Sequence, residues 1–347
     1  MGLTSGNCRK VMTACVQSVA MYGTELWWKG EGKPGMRSGA EELQKLVNQE
    51  ARAVTGCFRT TNLVALAMKS GLRPATAQLD NRQRRFTARL ISLPAGSEAR
   101  GIVGAQSAIG RRLETSIGYS GRMGETKITR KPEKMEAVRI VEDRERAIEE
   151  AEKDREGPTL FTDGSRLESG ATEYGVAWKA GDRWAGVKAH MGYNQEALDA
   201  ECAAIARALE VAARRRTGPK AVTDFTDAQA AMARIASDEP GPAQQYARQA
   251  RKWIAKLRER DRNVRIEFRW CPAHSGVAGN EEADKWAKQA AEEPDARGVE
   301  WMGYKDRYGR RPLPPPRSLA NLKRETSEKK WEEAWTWSKK RVKGKKY

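Results

Sequence analysis

Between residues 159 and 192 three short runs rich in strand formers, TLFTDGS, EYGVAWKA and RWAGVKAHM, are separated by glycines. Such runs pair as an antiparallel meander, and they constrain the fold more than any other part of the chain. A strongly helical stretch follows over 195–214, then AVTDFT as a fourth strand and a short helix over 228–236. Pro240 and Pro242 interrupt the chain before a basic amphipathic helix over 244–260. NVRIEFRW predicts a fifth strand and 280–292 a closing helix. This order predicts a mixed α/β fold: a five-stranded sheet with antiparallel and parallel pairs, and helices flanking its faces.

The residues before it read differently. Helices are predicted over 8–28, 39–57 and 60–94; in the second, Leu43, Leu46, Val47, Ala51 and Val54 recur at spacings of three and four. Gly30, Gly32 and Gly35 match a dinucleotide-binding spacing, but no strand precedes them and Pro34 sits inside, so a nucleotide loop is not expected. Residues 133–156 are mostly charged and read as a solvent-exposed helix or linker, which Gly157-Pro158 ends. The predicted organisation is a helical segment over 1–94, a charged linker over 95–157, the α/β domain over 158–293 and a basic tail over 294–347. The tail holds PLPPP at 312–316, then Trp331, Trp335 and Trp337, and ends in KKRVKGKKY.

The net charge of +18 is unevenly placed: +8 over 1–157, +1 over 158–293 and +9 over 294–347. An excess of this kind favours polyanionic partners through counterion release. The five cysteines are scattered and only His190 and His274 accompany them, so no zinc constellation is expected. No apolar run approaches a membrane span, and the first residues lack an apolar signal core. The expected location is the nucleus or cytoplasm, neither secreted nor in a membrane.

Several acidic residues stand where chemistry would need them. Asp163 ends a strand before Gly164-Ser165. Glu201 lies three after Leu198 and four before Ile205, within the apolar stripe those residues form with Cys202 and Leu209. An ionised carboxylate on a buried face is costly unless paired or bound to metal. Asp227 follows the fourth strand at a position suited to an N-cap, and alternation places it on the face opposite Asp224. Asp284 follows the expected cap Asn280, after a glycine-rich loop that carries His274.

Taken together, FTDGS, AECAAI, FTDAQAAM and WCPAHSGVAGNEEADKWAK, in this order and spacing, resemble the type I ribonuclease H domain. The last string is most similar to the version in non-LTR retrotransposon open reading frames. Ala228 is a departure, since many members carry serine there. Residues 19–94 resemble the thumb-like helical region that follows the polymerase palm of the same elements. No YxDD-type box is present, so no polymerase active site is expected in this chain.

The resemblance implies a metal-dependent endonuclease that hydrolyses RNA in RNA–DNA hybrids. Asp163, Glu201, Asp227 and Asp284 would be the catalytic metal ligands, holding two Mg²⁺ ions for which Mn²⁺ can substitute. Asp163 would bridge both ions, Asp284 would complete the nucleophile-side ion, and Glu201 and Asp227 would serve the leaving-group side. His274 would assist proton movement or product release. Ser165 and Gln229 match positions that contact the hybrid. The basic tail is expected to bind single-stranded nucleic acid. Two alternatives remain: a DNA strand transferase on the same fold, whose acidic set usually ends in a helical glutamate, and a non-catalytic hybrid-binding relic.

Overall fold

Apolar spacings of three and four do give helices in the first 94 residues, one (Arg37–Thr55) at the length expected over 39–57 and the others broken into shorter pieces. The computed structural model describes residues 4–94, 96–104, 108–117, 138–139, 143–293, 295–298 and 315–343. They divide into two units, Met1–Ser120 with Leu322–Tyr347, and Gly121–Asn321.

The first unit is helical: α1 (Ser5–Val11), a π-helical turn (Met12–Val16), α2 (Gln17–Ala20), α3 (Thr24–Trp27), α4 (Arg37–Thr55), α5 (Leu63–Ser70), α6 (Ala75–Ile91), α7 (Glu98–Gly104) and α8 (Ala108–Ile117). The single helix expected over 8–28 is therefore broken, first by the π turn and then by Gly23, whose φ of 70° no helix accommodates. Val47, Ala51 and Val54 of α4 are buried with Met21, Leu66 and Leu72. Gly71, at φ 67°, caps α5, and Pro74 precedes α6. Most of a long helix, Leu319–Lys343, also lies in this unit. Its Glu333 accepts both Arg84 Nη atoms at 2.6 Å.

The second unit holds a six-stranded sheet: β1 (Val138–Arg139), β2 (Thr159–Arg166), β3 (Thr172–Ala180), β4 (Arg183–Gly192), β5 (Ala221–Thr226) and β6 (Arg265–Trp270), in the order β1-β6-β5-β2-β3-β4. The β2–β3 and β3–β4 pairs are antiparallel and the rest parallel. Its helices are α9 (Arg144–Glu152), α10 (Ala197–Ala213), α11 (Gln229–Ala236), α12 (Gln244–Arg260) and α13 (Ala278–Glu292); Leu319–Lys343 is α14. The main core joins Leu160, Val176 and Phe268 of the sheet to Ile205 and Leu209 of α10 and Ile254 and Leu257 of α12. On the opposite face α13 packs with Phe161, Phe225 and Val277. The five expected strands form with the expected mixture of directions.

Three features differ from the sequence reading. The stretch read as a charged linker contains α9, whose Ala147 and Ala151 are buried, Ala151 beside Phe161 and Phe225. Two small residues one turn apart suffice to seat a helix, and they are inconspicuous among charges. The same stretch also supplies β1, two residues paired with Phe268 and Arg269; the rest of it over 105–107, 118–137 and 140–142 lies outside the described residues. Third, part of the expected tail packs on this unit. His190 N donates to Ala296 O at 2.8 Å, Gln195 Nε2 to Pro316 O at 2.8 Å and Asn321 Nδ2 to Glu196 Oε1 at 2.8 Å. Pro315 and Pro316 are buried, whereas 312–314 and the last four residues of KKRVKGKKY lie outside the described residues. Among the described residues no helix is long and apolar enough to cross a membrane.

Candidate active site

Strand pairing brings the first two acidic residues together. Thr162 of β2 is in register with Thr226 of the parallel neighbour β5, so Asp163 and Asp227 stand side by side, one residue further along. Two residues earlier in each strand, Phe161 and Phe225 stack with centroids 5.1 Å apart. The two-residue period of a strand thus carries both carboxylates on the face that packs α13.

A glycine brings in the third. A Cβ at Gly164 would lie 2.5 Å from the backbone of Ala200 and Glu201, so only glycine lets α10 approach β2 this closely. The Gly164 N–H donates to the Glu201 carboxylate. As a result, carboxylate oxygens of Asp163, Glu201 and Asp227 lie within 4.8 Å of one another. All three residues are half-buried.

The electrostatic consequence is strain among like charges. Burial, with Asp227 and Asp284 nearby, pushes Asp163 up to about 7, against a partial pull from His274 and Lys288. Burial and the charges of Asp163 and Asp227 hold Glu201 well above the usual carboxylate range. Asp227 is raised by burial too. Glu201 Oε2 is buried without a hydrogen-bond partner among the described residues. Three crowded carboxylates with an orphaned oxygen are the donor set a hard divalent cation prefers, so these residues fit a metal site.

The remaining predicted residues form a neighbouring group. Atoms of His274, Glu281 and Asp284 lie within 4.8 Å of one another. Asp284 accepts from Lys288 Nζ at 2.6 Å, and its charge reaches both Asp163 and Asp227. Its helix is held close to the sheet by Gly175, where a Cβ would lie 2.2 Å from Ala283 O. His274 sits exposed on its loop with φ 47°, followed by Gly276 at 79°. The structure therefore gathers three of the four selected carboxylates and sets Asp284 beside them. Glu281, which the sequence reading did not select, joins this group; it lies three residues before Asp284 on one helix face.

Ser165 and Gln229 are reachable but differently engaged. Ser165 Oγ donates to Oε1 of the buried Glu173 at 2.8 Å, while Gln229 is exposed at the start of α11. Two expected caps are corrected. The residue flanking α11 is Ala228, with no side-chain cap bond, so Asp227 is free of that role. α13 starts earlier than expected, after Val277, and Asn280 is buried inside it, accepting from Cys271 Sγ at 3.4 Å. Asp224 lies on the other face, fully buried, hydrogen-bonded by Thr162 and held far above its ordinary value by burial.

Residues 155–292 match the family model for RNase H. Among solved structures, the N-terminal RNase H domain of Rv2228c from Mycobacterium tuberculosis, as a fusion with maltose-binding protein, is 19% identical. It aligns over 39% of this chain and 98% of that one, with a TM-score of 0.31. RNase H1 from Halobacterium salinarum NRC-1 is 21% identical over 39% of this chain and 97% of that one, with a TM-score of 0.30. A comparison with curated proteins gives no match. The family match and the strand order agree, and residues 155–292 carry an RNase H domain.

Proposed function

We propose that this chain is a ribonuclease H that cuts the RNA strand of RNA–DNA hybrids with two divalent ions, Mg²⁺ or Mn²⁺. One observation carries this reading: three half-buried carboxylates within 4.8 Å of each other, with the buried Glu201 Oε2 unpartnered. Such a cluster is costly without cations. Asp163, Glu201 and Asp227 would hold the ions, with Asp284 completing the set. Bound there, the pair would lower the pKa of a water and stabilise the charge on the leaving oxygen.

The chain's own residues supply the rest. His274, exposed on its loop next to Asp284, is placed to take or return a proton at the edge of the site. Gln229 and Ser165 flank the carboxylates and would contact the hybrid backbone or its wide minor groove, where 2′-hydroxyls mark the RNA strand. The motif wording and the resemblance of residues 19–94 support descent from a non-LTR retrotransposon protein.

The test is a panel of labelled RNA–DNA, RNA–RNA and DNA–DNA duplexes incubated with the chain and Mg²⁺. Only the hybrid should be cut, in its RNA strand, leaving a 3′-hydroxyl. Strand transfer into DNA, or an intact hybrid with a well-folded protein, would replace this reading with one of the alternatives.

A further inference from the structure

The helical unit contains a row of cations that lack acidic partners among the described residues. Arg73 is half-buried, and burial and the charge of Arg9 lower it. Lys330 of α14 is pushed down to about 8 by burial and by Arg73, Arg85 and Arg84. Lys323, two turns earlier on α14, is lowered by burial, Arg89 and Arg85. Each member thus senses the next, in the order Arg9, Arg73, Lys330, Arg85, Lys323, Arg89. Two acids of α14 are occupied elsewhere: Glu333 is held by Arg84 and Glu328 by Arg324.

The row is more than a charged surface. Arg9, Lys10, Arg73, Gln78 and Trp331 line a cavity of about 650 Å³, and no described carboxylate forms part of its wall. Arg73 lies over the Trp331 ring at 3.9 Å, and its Nε is buried without a partner among the described residues. The indole is still 54% exposed, so part of it remains open. Cations crowded this closely destabilise the free protein and are relieved by an anion with repeated charges. A flat aromatic beside them is suited to an unpaired base.

We propose that this row binds the phosphodiester backbone of a single nucleic-acid strand, with the open part of Trp331 stacking on a base. This places one tryptophan of the expected basic tail in a cavity walled by α1, the π-helical turn, α2, α6, α14 and the segment before α6. The site is in the helical unit and independent of the nuclease chemistry.

The full chain, in metal-free buffer, would be titrated against fluorescent single-stranded DNA and against a DNA duplex of the same length, each over a salt series. Single strands should bind more tightly than the duplex. Combining Arg73→Gln, Arg85→Gln and Lys330→Gln should weaken single-strand binding about tenfold or more and reduce the salt slope by about 2, at roughly 0.7 for each strand phosphate no longer neutralised. Trp331→Ala should weaken single-strand binding about tenfold and leave duplex binding unchanged. Because Lys330 is crowded by like charges, Lys330→Gln alone should keep or raise the melting temperature, which a packing role would lower. The proposal is overturned if the triple variant keeps the parent affinity and slope. It is also overturned if neutralising Lys179, Arg183 and Lys252 costs as much, if Trp331→Ala changes nothing, if duplex binds more tightly, or if Lys330→Gln lowers the melting temperature.

Discussion

At the residue scale, three carboxylates are held near one another against their mutual repulsion. Asp163, raised from an ordinary value near 4 to about 7, shows how this affects stability. Below about pH 4 the carboxyl is protonated in both folded and unfolded chains and costs nothing. As pH rises toward 7 the unfolded chain gives up the proton and the folded one keeps it, so stability falls. Above 7 the full penalty, up to roughly 4 kcal/mol, is present. Metal-free protein should therefore lose melting temperature between about pH 4 and pH 7, and saturating Mg²⁺ should flatten that loss. A thermal-shift series with and without Mg²⁺ checks this; identical pH profiles would argue against a cation site. Glu201 stood out because it lies inside an apolar stripe, whereas Asp163 and Asp227, ordinary as a turn and a cap aspartate, were selected through the resemblance of their motifs. Glu281 was not, because acids in the first turns of a helix are ordinary.

At the element scale, the geometry depends on how closely α10 crosses β2. Gly164→Ala would put a methyl group about 2.5 Å from the Ala200–Glu201 backbone, and α10 must retreat. The expected cost is about 1–3 kcal/mol of stability, as for other overpacking changes. Hybrid cleavage should fall further than that cost explains, because Glu201 moves with its helix. Unfolding and single-turnover cleavage measured on the same preparation separate the two effects, and wild-type activity would show that the close approach is dispensable. The order of strands and helices was readable from periodicity, since β2 to β6 each bury an apolar face. β1 was not, because two paired residues leave almost no hydrophobic signal; α9 falls where an exposed helix or linker was expected, and its two buried alanines among charges did not reveal that it packs on the sheet.

At the scale of the whole molecule, the net charge of +18 is not a property of the RNase H domain, which is close to neutral. The compact unit that holds this domain continues beyond its last acidic motif, to Asn321. Gln195 and Glu196 at the start of α10 are bonded to Pro316 and Asn321, and the buried Asp199 is hydrogen-bonded by Ser318. A chain ending at 293 should therefore melt lower and cleave hybrid more slowly than one ending at 321. Equal melting and equal cleavage rates would mean these contacts add nothing. Sequence alone drew the boundary at 293, because Pro-rich and charged residues beyond it carry no periodicity, although they complete polar groups at the start of α10.

The most direct measurement is hybrid cleavage by Asp163→Asn in Mg²⁺, with its melting temperature recorded alongside. The substitution keeps the shape of the side chain and removes the charge shared among the carboxylates. The predicted result is loss of cleavage by orders of magnitude in a protein that melts, metal-free at pH 8, as high as wild type or higher; Asp224→Asn, on the buried opposite face, should still cleave. A well-folded Asp163→Asn protein that cuts hybrid at the wild-type rate would contradict a two-ion site at Asp163, Glu201 and Asp227.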